Sequence, residues 1–161
     1  MKKRHLLCVA AIAVAALAAQ AQTAEKVVVW KQQRKLELHR AGEVIRTYRV
    51  ALGGAPVGHK TQQGDQKTPE GSYTIDFRNA RSQFYKSLHI SYPNAADRAQ
   101  ARRRRVHPGG DIFIHGLGRG STVGAAHAER DRTLGCIAVT NEEIDEIWRL
   151  VPDGTPIEIH P

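Results

Sequence analysis

Apolar and polar residues alternate along most of this chain, which is the two-residue period of strands with one buried face. Lys26 to Trp30 is β-branched and apolar, and in Arg34 to His39 the side chains of Leu36 and Leu38 fall on one face. Gln32-Gln33 supplies a tight connection between these runs, Ala41-Gly42-Glu43 the next turn, and Val44 to Leu52 a third strand. Ser72 to Phe77 places Tyr73, Ile75 and Phe77 in phase, and Lys86 to Tyr92 does the same for Leu88, Ile90 and Tyr92. Ile112-Phe113-Ile114 and Ile137-Ala138-Val139 are short apolar runs, and Thr155 to His160 ends the chain with Ile157 and Ile159 in phase. Two segments carry helical signals. Asn94 caps Ala95 to about Arg104, with Asp97 in the first turn. Thr140 and Glu143 form a capping box, followed at helical spacing by Ile144, Ile147, Trp148 and Val151 and stopped by Pro152-Asp153-Gly154. A long glycine-rich loop runs from Gly53 to Gly71, and such loops often carry function. The pattern predicts one mainly β, compact domain with one or two short helices.

The N-terminus departs from this pattern. Lys2, Lys3 and Arg4 precede an unbroken apolar run of fourteen residues, Leu6 to Ala19, and Ala19-Gln20-Ala21 has the small residues of a cleavage site. The reading is a secretory signal over residues 1–21, leaving a domain of residues 22–161 in the periplasm. A membrane-spanning helix needs roughly 20 apolar residues, so no stable insertion is expected after cleavage. Losing the leader takes the formal charge from +8 to +5, with 21 basic side chains against 16 acidic ones. A basic surface favours anionic partners such as cell-wall polymer. Export, and the lack of a nucleic-acid-binding motif, set nucleic acid aside. The run Arg102-Arg103-Arg104-Arg105 reads as the solvated end of a helix.

Cysteine usage adds the chemistry. Cys8 falls in the leader, so the mature chain would hold one thiol, Cys136, in an oxidising compartment. His115 ends one apolar run, and Cys136 opens another, 21 positions on. Neighbouring strand ends can bring such residues together, where imidazole takes the thiol proton to leave a thiolate–imidazolium pair. The glycine before the cysteine lets a carbonyl approach the backbone, and the N–H groups around Gly135 and Cys136 could stabilise an oxyanion. A lone cysteine is otherwise a small buried hydrophobe. His115, His127, Asp131 and Cys136 could also be drawn as a zinc site, but their spacings match no compact zinc pattern. Tyr92, Arg132 and Thr133 are candidate substrate contacts, with turn-shaping as the alternative for Thr133.

These residues resemble the YkuD-type L,D-transpeptidase family. Its signature is His followed by Gly or Ser, then 14 to 17 residues, then Ser/Thr-His-Gly-Cys; here seventeen residues separate His115 from Thr133, and Gly135-Cys136 follow. Gly64-Asp65-Gln66-Lys67-Thr68-Pro69-Glu70-Gly71 is similar to the family's Gly-Asp-x-x-Thr-Pro-x-Gly segment, and Asp111 to Gly116 to the strand that carries its base. Leu134 stands where the family usually has His, and Ala138 where Arg is frequent; both, with Lys86 to Asn94 and Cys136 to Asn141, resemble the YafK-like branch. The resemblance implies a β-sandwich or barrel-like catalytic domain acting on peptidoglycan stem peptides, sensitive to carbapenems and needing no metal or organic cofactor. It implies Cys136 as nucleophile, His115 as base, the Gly116 carbonyl as orienter of the imidazole, and Leu134, Gly135 and Cys136 as the oxyanion hole. The branch implies a second outcome, hydrolysis of an amide joining peptidoglycan to a lipoprotein. A non-catalytic wall-binding domain on the same scaffold is the third reading.

Overall fold

The computed structural model describes residues 23–161; the predicted leader lies outside the described residues. Strands β1 (Lys26–Trp30), β2 (Lys35–Arg40) and β3 (Glu43–Arg49) form an antiparallel meander. Ala41 and Gly42, both at positive φ (51° and 79°), make the β2–β3 turn, the backbone twist that two-residue hairpins require. Pairing Val27 with Leu38 and Val29 with Leu36 puts all four side chains on the core face. The last strand, β8 (Pro156–His160), lies parallel to β1 and antiparallel to β4 (Gly71–Asn79). Beyond β4 come β5 (Ser87–Ile90), β6 (Ile112–His115) and the two-residue β7 (Ile137–Ala138), giving the order β3-β2-β1-β8-β4-β5-β6-β7.

The sheet curls back on itself. Past β3 the chain reaches Ala51, which exchanges backbone hydrogen bonds of 3.0 and 2.9 Å with Ala138 of β7. Gly53 forms a parallel bridge with Thr133, whose amide donates to the Leu52 carbonyl at 3.1 Å and whose carbonyl accepts from the Gly54 amide at 3.0 Å. The two ends of the eight-stranded sheet therefore meet at a seam, and the mainly β, barrel-like expectation holds. Inside the curl lie Val27, Val29, Leu36, Leu38, Ile75, Leu88, Ile90, Ile114 and Ile137, together with Ile144, Ile147 and Val151. Ile144 and Ile147 come from α2 (Asn141–Leu150), whose Thr140–Glu143 capping box is formed, and Val151 is its C-cap. Helix α1 (Ala95–Arg104) starts at the Asn94 cap, and Arg102 to Arg105 are exposed at its end. Trp148 packs against the core's rim, half-buried, whereas Trp30, also half-buried, stacks on His160 at 4.6 Å and donates to Glu37 at 3.0 Å.

The phase of β4 is broken where expectation had it continuous. The register with β5 shifts between Ile75 and Phe77, so Asp76 is an extra residue and Phe77 turns to the other face, 46% exposed and stacked on His89 at 4.4 Å. One inserted residue reverses every side chain beyond it.

The Gly53–Gly71 loop is pinned from inside. Lys31, only 2% exposed, donates to the carbonyls of Gly58 (2.7 Å) and Thr68 (3.0 Å) and pairs with Glu70 (2.7 Å). Asp65 accepts from Lys60 and from the amides of Thr61, Gln62 and Lys67, the turn-stabilising role expected of a short carboxylate. Among the described residues, no helix is long and apolar enough to cross a membrane.

Candidate active site

The site lies at the seam. His115 is registered with Ala138 across the parallel β6–β7 pair, and Cys136 stands two residues before Ala138. Side chains two apart on a strand share a face, so His115 and Cys136 project to the same side, opposite the core residues Ile114 and Ile137. Both line one cavity of about 970 Å³. Its walls come from four loops, contributing Lys60 and Gln63, Gln83 and Phe84, His107 to Asp111, and Leu117 to Leu134.

The imidazole of His115 is held firmly. Nδ1 lies 2.6 Å from the Gly116 carbonyl, which can only accept, so Nδ1 carries the hydrogen and Nε2 keeps the basic lone pair. The ring stacks on Phe84 at 4.4 Å and is 6% exposed. Gly116 has no room for a side chain, because a Cβ there would stand 2.5 Å from Asn141 Oδ1. Asn141 in turn accepts from the Leu117 amide and donates to the Gly118 carbonyl, both at 2.9 Å. It braces the loop after His115, not the Cys136 loop.

The thiol of Cys136 is partly buried and donates to the Asp111 carbonyl at 3.5 Å. Asp111 has a left-handed backbone (φ 53°) just before β6. Burial pushes this thiol above its ordinary range, and the Asp111 charge adds to that, while the Phe113 N–H and Lys60 pull the other way. Burial also holds His115 below the ordinary imidazole range, against a smaller opposing effect of its bond to Gly116. The two shifts point apart. Withdrawal from water penalises whichever form is charged, so burial alone works against the charged form of each residue.

The loop before the thiol is a closed unit. Thr133 Oγ1 donates to the Cys136 carbonyl at 2.7 Å and accepts from the Gly135 amide at 3.1 Å. The Thr133 hydroxyl therefore shapes the turn, and the Gly135 N–H is already engaged. Gly135 has φ 132°, and a Cβ there would lie 2.6 Å from the Lys67 carbonyl. Gly135→Ala should therefore cost about 2 kcal/mol, a fall in Tm of roughly 5–10 °C, with slower thiol alkylation as the loop shifts; thermal denaturation and labelling check both.

The other sequence candidates divide. Arg132 is exposed on the cavity wall, and Leu134 stands at its mouth, 77% exposed. Tyr92 does not reach the cavity: it is buried in the core, and its hydroxyl donates to the Pro108 carbonyl at 2.9 Å, behind the 107–111 wall. The zinc alternative fares poorly. Asp131 is taken up by Arg34 and the Leu52 amide, and among the described residues no three His, Cys, Asp or Glu side chains converge. Phe84 and Asp111 escaped sequence reasoning as parts of the site. Each lies in or beside a segment without periodicity, and its role depends on contacts across the fold.

Comparison with known proteins bears on the family and the fold. The family model of the YkuD L,D-transpeptidase catalytic domain matches residues 24–159. YafK of Escherichia coli (strain K12), named as a candidate L,D-transpeptidase, is 33% identical over 129 residues, covering 76% of this chain and 45% of YafK. The chain thus spans about half the length of that relative. Among solved structures, the helical cell shape determining protein Pgp2 (K307A mutant) of Campylobacter jejuni superposes with a TM-score of 0.66 at 23% identity, over 86% of this chain and 47% of that one. An L,D-transpeptidase from Mycobacterium smegmatis gives 0.57 at 14% identity, over 86% and 59%. These two likenesses show the fold. With the family model covering nearly all described residues, the chain belongs to the YkuD family of L,D-transpeptidase catalytic domains.

Proposed function

We propose that this protein is an exported, periplasmic cysteine acyltransferase that works on peptidoglycan stem peptides through a thioester on Cys136. The observation that carries the reading is the placement of Cys136 and His115 on one face of the β6–β7 pair, in one cavity, with His115 Nε2 left as the basic atom. The Cys136 thiol gives its proton to His115 Nε2 as sulfur bonds to the carbonyl carbon of the stem-peptide diamino acid. The carbonyl oxygen becomes an oxyanion. Because the Gly135 N–H is engaged by Thr133, the amides of Leu134 and Cys136 are the donors left to receive it. As the C–N bond breaks, His115 returns the proton to the leaving amine. An incoming amine then attacks the thioester, and His115 takes its proton and passes it to the departing sulfur as the C–S bond breaks, restoring the thiol. Arg132 on the wall suits a stem-peptide carboxylate.

Water in place of the amine makes the same machinery a hydrolase that releases a peptidoglycan-linked lipoprotein or opens an L,D cross-link. Leu134 favours keeping this reading, since an apolar side chain at the mouth offers an incoming amine no polar partner.

Incubation with tetrapeptide muropeptides and, separately, with lipoprotein-linked muropeptides tests both. New dimers are expected from the first. Release of the linked peptide without dimers assigns hydrolysis instead. No product from either, and no thioester by mass spectrometry, overturns the enzymatic reading in favour of a wall-binding domain.

A further inference from the structure

Three rings form a row on the sheet outside the cavity. Phe77 of β4 is the cross-strand partner of His89 in β5, and His89 is the partner of Phe113 in β6. The Phe77 and His89 rings stack at 4.4 Å, and Phe113 meets them edge-on at 5.9 and 4.9 Å. The row leads to the thiol. Phe113 stands two residues before His115, and Cys136 stands two before Ala138, so the parallel register of His115 with Ala138, carried back along both chains, sets Cys136 beside Phe113. All four side chains therefore share the face that carries His115. Phe77 reaches this face only through the bulge at Asp76; in phase with Ile75 it would have joined the core. Its ring is 46% exposed, so the row ends in apolar surface open to a ligand.

We propose that this row is a sugar subsite, in which the pyranose that bears the stem peptide packs its C–H face on the exposed ring of Phe77. This rests on the reading that Cys136 takes the stem-peptide carbonyl. The lengths agree. Adjacent strands lie about 4.8 Å apart, so the three steps from Cys136 to Phe77 cover roughly 14 Å. The diamino acid is the third residue of the stem, and three extended residues reach about 10–11 Å. The lactyl link between peptide and sugar spans the rest. The edge of the row selects a sugar over a hydrocarbon chain. Asp76 Oδ1 lies 2.6 Å from His89 Nδ1, and this carboxylate, 42% exposed, flanks the stacked rings. A pyranose turns its hydroxyl and amide groups outward from the stacked face, where a carboxylate accepts from them. A lipid chain would cover the same rings but strip water from Asp76 and return nothing.

Two probes test this: the disaccharide tetrapeptide, and the same tetrapeptide without its sugars. The parent protein should show a KM about tenfold lower for the first. Phe77→Ala should erase that difference, raising KM for the disaccharide tetrapeptide about tenfold with kcat held within about twofold, whereas Phe77→Trp, which keeps a ring, should stay within about threefold of the parent. Equal KM values for the two probes in the parent, a difference that survives Phe77→Ala, or a loss common to both probes overturns the proposal; the common loss would mean that the ring touches peptide or only supports the fold. Should a variant fold poorly, the native ring decides. On Cys136→Ala protein, the C–H resonances of the bound sugar should move upfield, as protons above an aromatic face do; sugar resonances unmoved at saturation overturn the assignment. Failure of the underlying reading looks different, because the parent protein would then turn over neither probe.

Discussion

Cys136→Ala is expected to remove turnover of muropeptides by at least about 10⁴-fold while leaving the melting temperature close to that of the parent protein. Two facts set the size of the effect. First, Cys136 is the one free cysteine among the described residues, so no second thiol can take over bond formation to the carbonyl carbon. Second, its packing is modest: the residue is partly buried, and the hydrogen bond it donates to the Asp111 carbonyl is long, at 3.5 Å. Alanine therefore deletes chemistry with little loss of structure. A carbapenem supplies an independent measurement, because acylation adds the mass of the inhibitor to the protein. The parent should take up one equivalent and the variant none. An adduct that persists in Cys136→Ala removes this residue from the nucleophile role. Iodoacetamide labelling then tests ionisation. Burial raises the thiol above its ordinary range, so labelling should be slow near neutral pH and accelerate only as pH passes the ordinary thiol value of about 8.5. Fast labelling near about pH 6 would instead mean a preformed thiolate.

That ionisation state marks the boundary of what could be read from the chain. The pairing of His115 with Cys136 was legible because each residue ends or opens a short apolar run, and a run fixes which way its end residue points. The strands were legible from their alternation, down to Leu36, Leu38, Ile157 and Ile159 in the core. Phe77 was misplaced because a bulge is a property of two paired strands, and β4 alone gives no sign of it. Tyr92 was in phase with Leu88 and Ile90 and joined the core with them, so the periodicity argued against its role as a substrate contact. The charge states of the two site residues depend on how far the 107–111 and 117–134 loops exclude water, and neither loop has a pattern to read. Thr133 is the subtlest case. Its hydroxyl was correctly suspected of shaping the turn, but only the folded loop reveals that in doing so it engages the Gly135 amide, a proposed oxyanion donor.

His115→Asn is the complementary experiment, and its pH profile carries more than its rate. Asn keeps an N–H directed at the Gly116 carbonyl, so the loop braced by Asn141 should hold, but the base is gone. Loss of a general base costs about 10²–10⁴-fold, and the upper end applies here because the raised thiol depends on that base to lose its proton. The proposed transfer of the thiol proton to His115 needs a neutral imidazole. Protonating His115 destroys it, and since burial holds this imidazole below its ordinary value of 6.5, kcat/KM should stay level through pH 6.5 and fall only at lower pH. In His115→Asn the thiol must ionise by itself. Its residual rate should therefore rise about tenfold per pH unit from roughly pH 7 toward the raised thiol value, narrowing the gap to the parent as alkali supplies the thiolate directly. If the variant instead keeps a level profile with an acid limb like the parent's, some other group takes the thiol proton, and the shared face of β6 and β7 does not define the reacting pair.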